Sequence, residues 1–136
     1  MDESVRQFVR ERAGQRCEYC RLPQAVGLAI RFHIEHIRPS QHGGGDALDN
    51  LALACPNCNW HKGPNLSGVD PASDAVVPLF NPRAQLWIEH FSLVGLRIIG
   101  VTPLGRATVQ LLRMNAPDRV EVRQELELRG ELDVGP

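Results

Sequence analysis

The sequence predicts a small α+β domain, and three observations lead to this prediction. The chain has 136 residues, 43% of them hydrophobic and 23% charged, which is typical of one globular domain. Helical and strand-like apolar spacings alternate along it without an internal repeat. Two Cys-x-x-Cys pairs are separated by 34 residues, and such pairs indicate a structural zinc site that staples a small core. We therefore expect a single domain over residues 1–136.

The first predicted element is an N-terminal helix over residues 3–13. Val5 and Val9 recur at helical spacing within ESVRQFVRERA. Asp2 can cap the first turn, and Gly14 follows the last. The tight turn CEYC comes next and contains the first cysteine pair.

Strand, loop, strand and helix is the order predicted for the next segment. LAIRFHIEHI, between Gly27 and Pro39, is rich in apolar and aromatic residues and indicates a strand or a strand pair. Consecutive glycines at 43–45 predict a loop, and LALA at 51–54 predicts the returning strand. PNCNWHKG, with Pro56 in a first-turn position, predicts a short helix.

The C-terminal half is predicted to form a strand-and-helix extension over residues 66–136. The segment 64–82, which leads into this extension, is rich in Pro, Asp, Ser and Gly and indicates an irregular surface connector. LWIEHF then has a helical stripe, and FSLVGLRIIGVT indicates a hairpin around Gly95. Two helices are predicted after Pro103, although the apolar residues of the second also fall at the even spacing of a strand.

The charge balance excludes binding of nucleic acid by overall charge. There are 15 basic and 16 acidic residues, so any DNA contact must be local. No apolar stretch approaches the roughly 20 residues that a membrane span requires, and no targeting segment is visible, so we expect a cytoplasmic protein without a membrane partner. A reducing cytoplasm favours metal binding over disulfide formation by paired cysteines.

The cysteines are the strongest chemical signal in the sequence. Four soft thiolates in two pairs match the tetrahedral coordination of structural zinc and leave no position open for substrate. The alternatives are two reduced buried pairs or disulfides, neither of which requires the same spacing twice. The predicted zinc ligands are Cys17, Cys20, Cys55 and Cys58. One ion would clamp both ends of a loop that is rich in polar residues.

The stretch FHIEHIRPSQHGGGDALDNLALACPNCNWHKG resembles the core of the HNH endonucleases, the zinc-stapled ββα-metal or His-Me finger nucleases. The shared elements are an acid-His pair followed by x-x-Pro, a Gly-Gly loop, Asn-Leu, and Cys-x-x-Cys-Asn-x-x-Lys-Gly. They occur in family order between about Cys17 and Gly63. The tail, with LFNPR, LWIEHF and GRATVQLLRMN, is similar to the C-terminal extension of a bacterial HNH subgroup. The resemblance implies a ββα core over residues 15–65.

The resemblance also implies roles for individual residues. His36 would be the general base and Asn50 would orient the loop and the base. Glu35 and Asn59 would bind a catalytic divalent ion, Mg²⁺ or Mn²⁺. Glu and Asn replace the Asp and His that the family often has, but both keep an oxygen donor that suits a hard ion.

Independent chemistry supports the base and raises one geometric condition. An imidazole with an ordinary pKa near 6.5 is suited to deprotonating water close to neutral pH. Adjacent strand residues point to opposite faces, so Glu35 and His36 can share a site only where the strand twists or ends. Pro39, three residues beyond His36, makes an end there plausible.

Three further residues are predicted to support DNA binding around this site. His33 is assigned a supporting role, with a third metal ligand or a structural histidine as the alternatives. Arg38 and Lys62 are predicted to contact backbone phosphates, although each is also compatible with a solvated surface charge.

Together these observations predict metal-dependent hydrolysis of DNA phosphodiester bonds. One site cuts one strand, so a double-strand break would require two protomers, as in a homodimer, or two successive events. The rival interpretation is a noncatalytic zinc-finger-type module that binds nucleic acid with the same cysteines. A base beside two oxygen ligands favours the enzyme over that module. A thiol redox or zinc-sensing protein ranks third.

Overall fold

The structure, a computed structural model that describes residues 1–24 and 31–134, confirms the α+β fold class. The part of the predicted first strand at residues 28–30 lies outside the described residues. The helices and strands in chain order are α1 (Glu3–Arg12), β1 (His33–His36), β2 (Leu51–Ala54), α2 (Pro56–Lys62), β3 (Ser67–Val69), β4 (Val76–Pro78), α3 (Trp87–His90), β5 (Phe91–Val94), β6 (Arg97–Gly100), α4 (Pro103–Leu111) and α5 (Pro117–Leu128). The strands pair as three antiparallel hairpins, β1 with β2, β3 with β4, and β5 with β6.

Helix α1 covers almost the predicted range and packs against the first hairpin. Asp2 caps it, because its Oδ1 accepts from the amide of Val5 at 3.1 Å. Val9 is fully buried in the core. Arg12 donates to the carbonyl of Leu51 at 2.6 Å, which ties the end of the helix to the start of β2.

The hairpin β1–β2 and helix α2 form the predicted ββα unit. The strands pair in a register that places His33 opposite Ala54 and His36 opposite Leu51. Strand β2 is buried along its whole length, as its uninterrupted apolar sequence requires, whereas in β1 only Glu35 is buried. Cys55 follows β2 and caps α2, since its Sγ accepts from the amide of Cys58.

The connector after α2 is more regular than predicted. Its residues form the short hairpin β3–β4, and the turn between these strands is closed by the buried Asp70. The carboxylate of Asp70 accepts from the amide of Ala72, from the hydroxyl of Ser73 and from Arg106 on α4. Three-residue strands leave too little alternation for the sequence to reveal them.

The rest of the extension follows the predicted order. The β5–β6 hairpin around Gly95 is confirmed, and the last element is a helix rather than a strand. Arg123 of α5 is buried and donates to the carbonyls of Leu96 and Met114, which anchors that helix. One apolar cluster extends from Val9 to Met114, so the extension and the ββα unit share a core.

Candidate active site and zinc centre

The two cysteine pairs converge on one point. The four Sγ atoms all lie within 4.8 Å of one another, and the four side chains are buried. The cysteines are not joined as disulfides, and the Sγ atoms of Cys20 and Cys55 are 3.7 Å apart, well beyond a sulfur–sulfur bond. Four soft donors in a closed, water-poor pocket suit a structural zinc ion.

The pKa shifts of the buried thiols are also consistent with a bound cation. Hydrogen bonding from Cys17 lowers the pKa of Cys55, whereas hydrogen bonding within the same cluster raises the pKa of Cys20 and Cys58 well above its ordinary value. A buried sulfur cluster of this kind does not hold several negative charges without a metal. A bound zinc ion would keep all four cysteines as thiolates and hold the two chain segments together.

The turn that contains the first cysteine pair is also fixed by its central residues. Glu18 pairs with Leu53 of β2 through both its amide and its carboxylate, at 2.8 and 2.9 Å, and forms an ion pair with Arg83. The carbonyl of Tyr19 accepts from the indole of Trp87 at 2.7 Å. The extension therefore supports the zinc turn from outside the ββα unit.

His36 lies at the end of β1 and is paired with Asp46, a residue that no local sequence pattern indicates. Its Nε2 is 2.6 Å from Asp46 Oδ1, and one third of the His36 side chain is accessible. This hydrogen bond lowers the pKa of Asp46. Because an ionised carboxylate can only accept, Nε2 is the nitrogen that donates to Asp46, and in a neutral imidazole Nδ1 is then the nitrogen that can accept a proton.

Asn50 fixes the loop that presents Asp46. Its side chain accepts from the amide of Arg38 at 2.8 Å and donates to the carbonyls of Arg38 and Gly45. The loop approaches closely at Gly44, where a Cβ atom would lie 1.6 Å from the carbonyl oxygen of Arg38, so only glycine fits. These contacts hold the loop to the end of β1, and the role of Asn50 in orienting the base stays a prediction.

Glu35 points away from His36 and into the protein interior, as strand alternation requires. Only 7% of Glu35 is exposed, and its Oε2 lies 3.2 Å from Lys62 Nζ on α2. The hydroxyl of Tyr19 donates to Oε1. Burial raises the pKa of Glu35, and the nearby Lys62 charge opposes that rise.

Two residue assignments therefore need revision. Lys62 is 2% exposed and donates to Glu35 and to the carbonyls of His36 and Ile37, so its ammonium does not face a DNA phosphate. Helix α2 packs against β1 on the side that carries Lys62, and the sequence does not reveal this contact. Both oxygens of Glu35 are engaged, so in this arrangement Glu35 does not fit the role of an open metal ligand.

The other predicted residues are distributed around the ββα unit. His33 begins β1 and Arg38 follows it, and both are exposed. Asn59 is half-buried on α2. Within residues 1–24 and 31–134, the four cysteines are the only group of three or more Cys, His, Asp or Glu side chains close enough to share an ion. The ligand role of Asn59 and the DNA contacts of His33 and Arg38 stay predictions.

We expect Lys62→Met to lower the free energy of unfolding by about 3–5 kcal/mol, because it leaves the Glu35 carboxylate buried without its counter-charge. Urea denaturation of the zinc-loaded protein measures the loss. Glu35→Gln combined with Lys62→Met should cost less than the two single changes added together. Arg129→Met, which removes an exposed pair with Glu125, is the matched control and should change stability by less than about 0.5 kcal/mol. Strict additivity of the two buried substitutions would contradict this account.

Comparison with known proteins agrees with the geometry of the ββα unit. Residues 17–65 match the family model described as HNH endonuclease, and this segment contains both cysteine pairs, the His36–Asp46 pair and Asn50. Neither the curated proteins nor the solved structures gave a match. No helix in the described part of the chain is long and apolar enough to cross a membrane. The predicted resemblance is confirmed for the ββα unit: residues 17–65, which contain the four clustered cysteines, form a segment of the HNH endonuclease type.

Proposed function

We propose that the protein is an HNH endonuclease that hydrolyses phosphodiester bonds of DNA, with His36 as the general base. One observation carries the proposal: an accessible imidazole is held by a carboxylate at Nε2, which leaves Nδ1 free to accept a proton. A family segment known for nucleases surrounds it. A pure binding module has no need of a histidine oriented in this way.

The reaction follows from that arrangement. Nδ1 of His36 accepts a proton from water, and the water oxygen attacks phosphorus in line with the departing 3′ oxygen. The new bond to phosphorus forms as the bond to the 3′ oxygen breaks, and the 3′ oxygen takes a proton from solvent. The products carry 5′-phosphate and 3′-hydroxyl ends. Asp46 stabilises the imidazolium that forms at His36.

The family resemblance adds a divalent ion, Mg²⁺ or Mn²⁺, which supplies charge stabilisation of the phosphate when bound. The ligands that it implies, Glu35 and Asn59, do not form an open set here, because Glu35 is engaged by Lys62 and Tyr19. We therefore propose metal dependence as an expected property of the reaction and assign no step to the ion.

Plasmid cleavage tests the proposed activity. Supercoiled DNA is incubated with the zinc-loaded protein alone, with Mg²⁺, or with Mn²⁺, and the nicked form is quantified on gels. We expect nicking that depends on the added ion and follows single-hit kinetics, because one site cuts one strand. Linear DNA appearing at the same rate as nicked DNA would instead indicate a homodimer, which no feature of residues 1–24 and 31–134 supports.

A noncatalytic nucleic-acid-binding module is the second candidate, and the buried Glu35–Lys62 pair is the observation that favours it. DNA binding without cleavage under every ion and with every DNA form would establish that module instead. For either function we propose a reducing cytoplasmic setting, in which the four thiols stay available to zinc.

We expect Asp46→Asn to lower the cleavage rate by about 10–100-fold, because an amide no longer selects the His36 tautomer with a free Nδ1. Asp49→Asn is the matched control, since Asp49 lies in the same loop and its side chain makes no hydrogen bond with a described residue. Initial rates on a labelled duplex measure both variants. An equal loss of rate in the two variants would remove Asp46 from the mechanism.

A further inference from the structure

The C-terminal extension has a cleft of about 620 Å³ outside the His36 site. Strand β6 and helix α4 form two of its walls, and the start of α5 forms the third. Three arginines line it: Arg97 on β6, Arg106 on α4 and Arg113 just after α4. None of the described residues that line the cleft is acidic. Positive charge is therefore concentrated there, although the whole chain has a net charge of -1.

The three arginines differ in whether their charge is already compensated. Arg106 donates to both carboxylate oxygens of the buried Asp70, at 2.8 and 3.0 Å, and this pairing holds the pKa of Asp70 well below its usual range. The guanidinium groups of Arg97 and Arg113 are exposed and make no hydrogen bond or ion pair with a described residue. Two uncompensated guanidinium groups thus face one cleft and are free to bind an anion in bidentate fashion.

The first turn of α5 also borders the cleft, through Ala116 and Pro117, and no side chain caps the helix at Ala116. Its amides and the helix dipole favour a negative group nearby, a preference that Asp118 of the same turn, which pairs with Arg119, already meets in part. Ile98, Ile99 and Val109 line the remaining surface, which suits a ligand that combines an anionic group with apolar parts.

A second cleft connects this region to the HNH segment. It has a volume of about 470 Å³ and shares Gln110 and Arg113 with the first. Its other wall includes His61 on α2, the helix that begins at the zinc site. Trp60, which precedes His61 in the chain but does not line the cleft, is 80% exposed, and an exposed indole is a side chain on which bases can stack. Because Gln110 and Arg113 line both clefts, we refer to the two together as the groove, which reaches from His61 on α2 to Arg97 on β6.

We propose that this groove binds the phosphodiester backbone of a DNA strand beyond the cutting site, with Arg97 and Arg113 each contacting a phosphate. The proposal rests on the proposed DNA-cleaving function and gives the extension a task in it. Phosphate contacts of this kind position DNA without selecting a sequence. A free nucleotide offers the same phosphate chemistry, and the test therefore separates the two ligands.

Fluorescence anisotropy of a labelled DNA duplex, measured without added divalent ions, reads binding separately from cleavage. We expect Arg97→Gln combined with Arg113→Gln to weaken binding by roughly tenfold at low salt and to reduce the slope of log affinity against log salt by about two. Arg129→Gln, an exposed arginine at the end of α5 that pairs with Glu125, should leave both quantities unchanged. Arg97→Gln alone should lower the slope by about one. Zinc content and circular dichroism establish that each variant is folded.

Each outcome separates this proposal from the proposed catalysis. If the wild type binds DNA and the double variant has the same affinity and the same salt slope, the groove does not bind the DNA backbone. That result would not affect the proposed role of the HNH site. Weaker binding in the double variant, with no cleavage by wild type under any ion, would support the groove and reject the catalysis. If deoxyadenosine monophosphate binds the wild type through these arginines and DNA does not bind, the DNA-backbone assignment is overturned in favour of a nucleotide site.

Discussion

Removal of zinc is expected to unfold the protein. The four cysteines are buried together, and structural zinc sites supply about 10–16 kcal/mol of apparent binding free energy, comparable to the total stability of a small domain. Trp87 is a built-in reporter, because it is 3% exposed and its indole donates to Tyr19 inside the zinc turn. A strong chelator should therefore shift Trp87 emission to the red and collapse the circular dichroism signal.

Two controls make the zinc prediction specific. Adding one equivalent of zinc should restore both signals, whereas Mg²⁺ should not, because a hard ion does not replace zinc at four sulfurs. Cys55→Ser should reproduce the unfolded state without chelator, since it removes a metal ligand, although serine can still cap α2. If the protein kept its native spectra after complete loss of zinc, the claim that zinc stabilises the fold would be wrong.

The second large effect is expected from substitution of the proposed general base, His36. His36→Ala should reduce the cleavage rate by about 10²–10⁴-fold, the usual contribution of a positioned general base. Stability should change little, because His36 is partly exposed and its side chain bonds to an exposed loop residue, Asp46. Single-turnover cleavage of a labelled duplex measures the rate, and anisotropy with the same duplex checks that DNA affinity is retained. A rate close to wild type in a variant with full zinc content would remove His36 as the base.

Most helices and strands of the structure were predicted from sequence periodicity, and the hairpin β3–β4 is the exception among the described residues. Leu51–Ala54 form a strand that is buried along its whole length, because every side chain in this run is apolar and none favours solvent. The hairpin β3–β4 was not predicted, because the ion pair that stabilises its turn joins Asp70 to Arg106, and these residues lie 36 positions apart in the sequence. Helix α5 was ambiguous from spacing alone, and the buried Arg123 with its two backbone acceptors favours the helix.

In the candidate site, too, local sequence patterns were predictable, whereas contacts between distant residues were not. The cysteines could be assigned because each pair lies within one turn and needs no tertiary knowledge. Asp46 was missed, since nothing local indicates that it faces His36, ten residues earlier. Lys62 reaches Glu35 across 27 residues, and that pairing depends on how α2 packs against β1. Strand alternation did indicate that Glu35 and His36 diverge, and the structure follows it.

Chemical rescue tests the central claim most directly, namely that the imidazole of His36 removes a proton from the attacking water. His36→Ala protein with full zinc content and native DNA affinity is assayed for cleavage in increasing concentrations of free imidazole. We predict a recovery that saturates with imidazole and follows the fraction of imidazole in its neutral form, and no response in the wild type. No recovery at any concentration, in a variant that still binds zinc and DNA, would contradict the account.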